Sequence, residues 1–180
     1  MVKRAGGRTV EAGRFDAFRL ATRAEAMAGE LDLAGRSRVA DRLAPASGAV
    51  PVEWRIQGGR DELGRPMLIV QVCGALTVVC QRCLQSFAIA IDQRSELLLA
   101  HDEAELARLD ADAREVVLVA APLDARTLVE DEVLLSLPFA PVHPEGQCPV
   151  HAEADGTAMK HDTPSPFARL AAIKRRPGRT

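Results

Sequence analysis

Apolar residues recur at helical spacing near the start of the chain, at Phe15, Phe18, Leu20, Ala24 and Met27. The pattern predicts a first helix that ends at Gly29, because glycine often follows the last turn of a helix. A second, short helix is predicted over residues 36–43, before the turn signal Pro45-Ala-Ser-Gly. Both helices precede the first segment with a strand pattern.

The apolar period changes to two near residue 50, where apolar residues alternate with charged or polar ones at Val52, Trp54 and Ile56. This alternation predicts a half-buried strand. Two longer β-rich runs follow, at residues 67–80 and 85–100, and Cys80-Gln-Arg-Cys83 separates them. We expect these runs to be neighbouring antiparallel strands that are joined by the cysteine-containing turn.

The next part of the chain predicts a loop, a strand and a helix, in that order. Residues 102–114 are acidic and loop-like, with room for one or two helical turns, and residues 115–120 have a strand pattern. Asp124 is a suitable N-cap for the helix, and Pro138 ends it. The apolar residues of this helix recur at steps of four, at Val129, Val133 and Leu137.

The order of helix, strands, helix and tail predicts an α+β fold. An antiparallel β-sheet domain is flanked by the N-terminal helix and by the helix near residues 124–137. This domain is expected to span residues 1–159, with a core over about residues 14–150, and residues 160–180 form an extended, basic, proline-rich tail. The tail has room for a short docking helix, because apolar residues fall at steps of three, at Phe167, Leu170 and Ile173.

Composition excludes several classes of protein. The chain has 180 residues, of which 47% are hydrophobic and 27% charged, as in one globular domain. Its apolar runs are shorter than the roughly 20 residues that a membrane helix needs. The basic N-terminus leads into no apolar segment of a signal peptide. These features predict a soluble, cytoplasmic protein with no membrane partner.

Charge is segregated along the chain, although the formal net charge is only −2. Net charge is +3 over residues 1–42, −7 over residues 102–132 and +5 over residues 160–180. The last segment includes a cationic cluster at Lys174, Arg175, Arg176 and Arg179. Phosphate backbone is one partner for such a cluster, and a solubilising terminus is the other interpretation. Aromatic residues make up only 3% of the chain, so any RNA contact should depend on charge and shape more than on stacked bases.

The sharpest chemical signal is Cys80-Gln-Arg-Cys83. Two thiolates separated by two residues can chelate one tetrahedral Zn²⁺ and leave two positions for distant ligands. Cys148 and either His143 or His151 can fill those positions, and Cys148-Pro-Val-His151 repeats the two-residue gap. The alternative is that the cysteines are small packing residues in strands, as we expect for Cys73.

Catalytic motifs are absent from the sequence, which has no glycine-rich phosphate loop and no nucleophile elbow. The carboxylate cluster Glu130-Asp131-Glu132 has two interpretations. One is a contact for a divalent metal or a basic partner; the other, which we favour, is the solvated stripe of an otherwise apolar helix. His101 and His161 lie in polar stretches and are predicted to be surface groups.

Four segments, taken in order, resemble the bacterial YceD-like family, the large ribosomal RNA subunit accumulation proteins. The segments are Cys80-Gln-Arg-Cys83-Leu84, Leu128-Val-Glu-Asp-Glu-Val-Leu-Leu-Ser-Leu-Pro138, Pro141-Val-His143 with Cys148 after it, and Ser165-Pro-Phe-Ala-Arg-Leu170 with its basic end. The segment from Phe15 to Leu20 also lies where such proteins place their opening helix. The resemblance covers about residues 14–176.

The resemblance implies a cytoplasmic, non-enzymatic ribosome-biogenesis factor that is needed for large-subunit (23S) ribosomal RNA to accumulate. The implied partners are ribosomal RNA or large-subunit ribosomal proteins, with no small-molecule substrate. The resemblance favours His143 and Cys148 as the second half of the metal site, whereas His151 rests on spacing alone. The metal itself is inferred from the residues, as a structural Zn²⁺.

Two further functions are compatible with the residues. One is a metal-dependent hydrolase or nuclease that uses the Cys/His site together with Glu130-Asp131-Glu132. The other is a protein-only adaptor, in which the acidic middle of the chain meets a basic ribosomal protein.

Overall fold

The computed structural model describes residues 13–34, 37–45, 48–111 and 115–149. The described residues up to 143 form one compact unit, and those from 144 on belong to a second one. Of the second unit the structure describes residues 144–149, where the Gln147 N–H donates to the Pro144 carbonyl at 3.1 Å and closes a turn. The predicted boundary between residues 159 and 160 lies outside the described residues.

The elements of the first unit begin and end as follows. In chain order they are β1 (Arg14–Phe15), α1 (Ala17–Arg23), β2 (Ala26–Asp32), α2 (Ser37–Ala40), β3 (Pro51–Arg60), β4 (Pro66–Val79), β5 (Ser86–Ala100), α3 (Glu103–Asp110), β6 (Val116–Leu118), β7 (Leu123–Asp124) and α4 (Ala125–Ser136).

Five of the strands form the main sheet, in the order β2-β3-β4-β5-β6. The first four strands are antiparallel to their neighbours, and β4 and β5 form a long hairpin in register from Met67↔Leu98 to Val79↔Ser86. β6 runs parallel to β5, because α3 carries the chain back along the sheet before β6 begins. β1 and β7 form a separate antiparallel pair. The predicted α+β fold is confirmed, with one parallel strand at the edge of the sheet.

The hydrophobic core lies between the sheet and the helices α1 and α4. Alternate residues of β3 and β4 point into it because side chains on a strand alternate between its faces. The fully buried side chains include Val52, Ile56, Leu68, Val70, Val72 and, from α4, Val129 and Val133. A smaller cluster around Met67, Leu98 and Leu109 packs α3 against the opposite face of the sheet.

The predicted first helix is too long, because residues 26–32 form strand β2 rather than its last turns. Ala24 adopts a left-handed conformation with φ of 50° and ends α1 there. Met27 and Leu31, two residues to either side of Gly29, are buried on one face of β2, which fits a period of two. Ala24 and Met27, the apolar residues that follow Leu20 in the predicted helix, therefore could not distinguish a helix from a strand.

The close packing of α1 on β3 depends on Gly58. A Cβ atom at this position would lie 2.1 Å from the Leu20 carbonyl oxygen and 2.6 Å from the Ala21 nitrogen. The Gly58 N–H donates to the Glu25 carbonyl at 2.9 Å, so helix, connection and strand meet at this point. Gly58 is therefore the position at which β3 contacts α1.

Two predictions about α3 and α4 are confirmed, and one about β4 is wrong. Asp102 caps α3, which supplies the two helical turns of the acidic stretch, and Asp124 caps α4 by accepting from the Arg126 N–H at 2.8 Å. Cys73 is not a packing residue of the core. It lies on the exposed face of β4, where its Sγ is 3.3 Å from Asp92 Oδ1.

The histidine prediction is confirmed for His101, whose exposed ring stacks on Phe18 with 3.8 Å between the ring centres. His161 lies outside the described residues. Among the helices of the described segments, none combines the length and the apolar character that crossing a bilayer requires.

Candidate metal centre

The turn between β4 and β5 holds the first two candidate ligands. The Cys80 N–H donates to the Gln85 carbonyl and the Leu84 N–H to the Cys80 carbonyl, both at 2.9 Å. Leu84 adopts a left-handed φ of 59°, which lets the chain turn sharply after Cys83. The sequence folds this way because the hairpin register ends at Val79↔Ser86 and leaves six residues to reverse the chain.

The third candidate ligand, His143, reaches the turn from the segment after α4. The Gln81 N–H donates to the Pro141 carbonyl at 2.8 Å and so fixes this segment beside the turn. The His143 ring lies 4.5 Å from the ring of Phe87, at an interplanar angle of 31°. A backbone hydrogen bond and an aromatic contact therefore position the imidazole beside the turn.

Within the first unit, the donor atoms of Cys80, Cys83 and His143 all lie within 4.8 Å of one another. The Cys83 Sγ and His143 Nδ1 atoms are 3.4 Å apart. Tetrahedral zinc with Zn–S bonds of about 2.3 Å and Zn–N bonds of about 2.0 Å sets sulfur–nitrogen distances of about 3.5 Å. The Cys83–His143 distance matches this value, so two sulfurs and one imidazole nitrogen of the first unit could supply three ligands to one zinc ion.

Hydrogen bonds favour the thiolate form of Cys80, the form that binds metals. Burial of this fully buried side chain opposes ionisation and raises its pKa. The backbone N–H groups of Cys83, His143 and Arg82 outweigh this effect, and the His143 side chain adds to it. Together they lower the pKa of Cys80 from 9.0 to about 5. The cluster therefore supplies a ready anionic ligand at neutral pH.

The first unit brings together Cys80, Cys83 and His143, whereas Cys148, the fourth predicted ligand, belongs to the second unit. Metal binding itself stays a prediction. His151, the alternative ligand, lies outside the described residues. The same is true of the predicted partner-binding cluster Lys174, Arg175, Arg176 and Arg179.

The carboxylates of α4 are not the solvated stripe that the sequence predicts. Glu132 is only 3% exposed and Glu130 9%. The Ser95 hydroxyl donates to the Glu132 carboxylate, and Asp131 makes an ion pair with Arg38 at 2.5 Å. Burial, followed by the nearby charges of Glu115 and Asp131, raises the pKa of Glu132, although the Ser95 hydrogen bond opposes this. Among the residues that the structure describes, the metal-ligand cluster includes none of these three carboxylates.

The sequence analysis missed the buried pair of Ser95 and Glu132. A signal was available, because Glu132 stands directly beside Val133 and three residues after Val129, on the stripe of α4 that packs into the core. A carboxylate on such a stripe needs a hydrogen-bonding partner from the facing strand. Ser95, on an inward position of β5, is that partner.

One protein-family model matches a part of the chain that includes most of the β4–β5 hairpin and the candidate metal ligands. The family model described as large ribosomal RNA subunit accumulation protein YceD matches residues 68–174. The chain belongs to this family. The part of the chain that matches YceD begins within β4 and includes all four donor residues and α4. The family is described by its role in accumulation of the large ribosomal RNA subunit. No solved structure matches the chain.

Proposed function

We propose that this protein is a cytoplasmic ribosome-biogenesis factor that large-subunit (23S) ribosomal RNA needs in order to accumulate. It acts by binding precursor ribosomal RNA or large-subunit components, and it is not an enzyme. The observation that carries the proposal is the YceD match over residues 68–174, more than half of the chain. The basic tail segment at residues 160–180, with Lys174, Arg175, Arg176 and Arg179, supplies the contact with phosphate or with a partner protein.

A structural Zn²⁺ at the donor cluster is the second part of the proposal. Catalytic zinc sites have three protein ligands and an open position, whereas structural sites are closed by four. Cys80, Cys83, His143 and Cys148 are four donors of the types that zinc prefers, and two of them, Cys80 and Cys148, are buried. The set therefore favours a closed, structural site over the hydrolase or nuclease alternative.

The contacts that the acidic residues make within the fold argue against the adaptor alternative. Asp102 and Asp124 cap helices, Asp131 pairs with Arg38, and Glu132 is buried against Ser95. These groups stabilise the protein's own structure, so fewer carboxylates of residues 102–132 are left to attract a basic partner.

Depletion of the protein from cells, followed by quantification of ribosomal RNA, tests the proposal. We expect the ratio of large-subunit to small-subunit ribosomal RNA to fall and the intact chain to restore it. A chain with glutamine at Lys174 and Arg175 should restore it less well. A matched chain with glutamine at Arg94 and Arg108, two exposed cations outside the tail, should restore it fully.

A normal ratio after depletion would overturn the proposed function. Equal rescue by the two glutamine variants would remove the tail from it. Cleavage of RNA by the purified protein that a chelator abolishes would favour the nuclease alternative instead.

A further inference from the structure

A groove of about 810 Å³ lies beside the end of α4, within the first unit. Its walls come from the chain after α2, the end of β4 and the segment that follows α4. Leu43, Val78, Leu134 and Leu137 give it an apolar lining. A groove of this size and character can accept several apolar side chains.

An aromatic side chain stands at the same groove. Phe139 lines it and is 93% exposed, so most of its ring is in contact with solvent. Phe15, Phe18 and Phe87, the other phenylalanines that the structure describes, are half-buried against neighbouring residues. Exposed aromatic rings beside an apolar groove are typical of protein–protein contact surfaces.

Charges of both signs also line this groove. Asp41 and Arg42 follow each other after α2, and both contribute to its wall. Within the described segments neither side chain makes an ion pair, whereas the neighbouring Arg38 pairs with Asp131. Arg38 lines the groove as well, so one surface carries an aromatic projection, an apolar recess, one anion and two cations, of which Arg38 is already paired with Asp131.

We propose that this surface is the interface of a homodimer with two-fold symmetry. In such a dimer the same surface meets itself, so each feature must find its complement within the surface. The Phe139 ring of one protomer would enter the groove of its partner, and the partner would return the contact. Asp41 of each protomer would pair with Arg42 of the other, which gives two reciprocal ion pairs.

Charge complementarity favours a second copy over the other occupants. A nucleic acid would need an excess of positive charge, whereas Asp41 balances Arg42 and Asp131 balances Arg38 at this groove. A basic ribosomal protein would need an excess of negative charge, which is equally absent from the pair. The proposal goes beyond the proposed function, and the oligomeric state can be measured without any assay of ribosomal RNA.

Charge exchange at the groove tests the proposal directly. We expect the full chain to sediment as a dimer, and Asp41→Arg and Arg42→Asp variants each to sediment as monomers, because like charges then face each other twice. The first variant carries two adjacent cations at the groove and the second two adjacent anions, so an equimolar mixture of the two should form a heterodimer. Phe139→Ser should weaken the dimer by about tenfold or more, as truncation of a central aromatic residue does.

Leu63→Ser is the matched control, because Leu63 is also exposed, at 76%, but lies at the turn between β3 and β4. This variant should dimerise like the unaltered chain, and far-ultraviolet circular dichroism checks that every variant is folded. A chain that stays monomeric at all concentrations would overturn the proposal. A dimer that survives all three groove substitutions would overturn it as well, as would binding of RNA or a ribosomal protein at this groove by a monomer.

Discussion

At the scale of single residues, two ionisable side chains are buried in different environments. Cys80 is held as a thiolate by backbone N–H groups in a tight turn. Glu132, by contrast, lies against a sheet where it accepts a hydrogen bond from the Ser95 hydroxyl, itself bonded by Gln93 at 3.0 Å. Both groups are buried; hydrogen-bond donors favour the ionised form of Cys80, whereas burial and nearby negative charges oppose ionisation of Glu132.

The raised pKa of Glu132 predicts a pH-dependent stability. The folded protein holds a proton on this group above its ordinary value of 4.5, where the unfolded chain releases it. The free energy of unfolding should therefore fall as pH rises from about 4.5 through the raised pKa. Glu132→Gln keeps an acceptor for Ser95 and removes the charge, so this variant should be more stable than the unaltered chain near neutral pH.

Urea denaturation of both proteins, near pH 4.5 and near neutral pH, measures this effect. The gain from Glu132→Gln should be present at neutral pH and shrink at the lower pH. Glu96→Gln is the control, because its exposed pair with Arg94 contributes only about 0–1 kcal/mol and Glu96 is not among the charges that raise the pKa of Glu132. A gain from Glu132→Gln that is equal at both values would contradict the pKa argument.

Sequence reasoning succeeded for residues whose role is local and failed for those whose role is set by a distant partner. The cysteine pair was recognisable because four consecutive residues carry its spacing. The N-cap Asp124 was recognisable for the same reason. The apolar stripe of α4 signals that Glu132 is buried, but it does not reveal that the partner is Ser95, which lies 37 positions away.

At the scale of elements, the backbone conformation of one residue, Ala24, sets the boundary between α1 and β2. Ala24 ends α1 in the left-handed region, after which residues 26–32 pair with β3 over seven positions. Alanine gives no sequence signal for this conformation, which glycine adopts more readily. The parallel direction of β6 was equally hidden, since it depends on how α3 packs and not on the residues of β6.

The contact between α1 and β3 predicts a large effect from one methyl group. Gly58→Ala would place a carbon 2.1 Å from a backbone oxygen of α1, so the helix must move away from the sheet. We expect a loss of about 3 kcal/mol in the free energy of unfolding, at the upper end for overpacked sites. Thermal or urea denaturation measures it.

Gly59→Ala provides the control within the same strand. No atom lies within 4 Å of a Cβ built at Gly59. This substitution should be neutral or stabilise by about 0.5–1 kcal/mol, because alanine restricts the unfolded chain more than glycine does. Equal losses in the free energy of unfolding from Gly58→Ala and Gly59→Ala would contradict the argument that the close approach of α1 excludes a side chain at residue 58.

At the scale of the whole molecule, the candidate metal centre joins parts of the chain that are far apart in sequence. Cys83 and His143 are 60 positions apart, and their donor atoms are 3.4 Å apart. A metal that binds only the folded chain stabilises it in proportion to the logarithm of the metal concentration. Spacing indicated Cys80 and Cys83, and the resemblance favoured His143 and Cys148 as the second half of the candidate site. The Gln81–Pro141 hydrogen bond that positions His143 could not be predicted from the sequence.

Zinc is therefore expected to raise the free energy of unfolding by about 2.7 kcal/mol at a free concentration one hundred times its Kd. Cys80→Ser should abolish this gain, because it removes a buried ligand. Cys73→Ser should retain it, since Cys73 lies on the exposed face of β4 and outside the cluster. Denaturation with and without zinc, with the metal content of each protein measured, decides between these outcomes, and a gain that Cys80→Ser retains would place the zinc elsewhere.

The distance between the two halves of the metal centre also sets an order of events during synthesis. Cys80 and Cys83 lie in a six-residue turn of a local hairpin, and closing a 60-residue loop costs about 2 kcal/mol more in chain entropy than closing one of six. A ribosome that adds about 5–20 residues per second produces His143 roughly 3–12 seconds after Cys83. During that interval the nascent chain presents a paired dithiol with no imidazole beside it. During these seconds the thiols of Cys80 and Cys83 can bind zinc, and they are also exposed to oxidation.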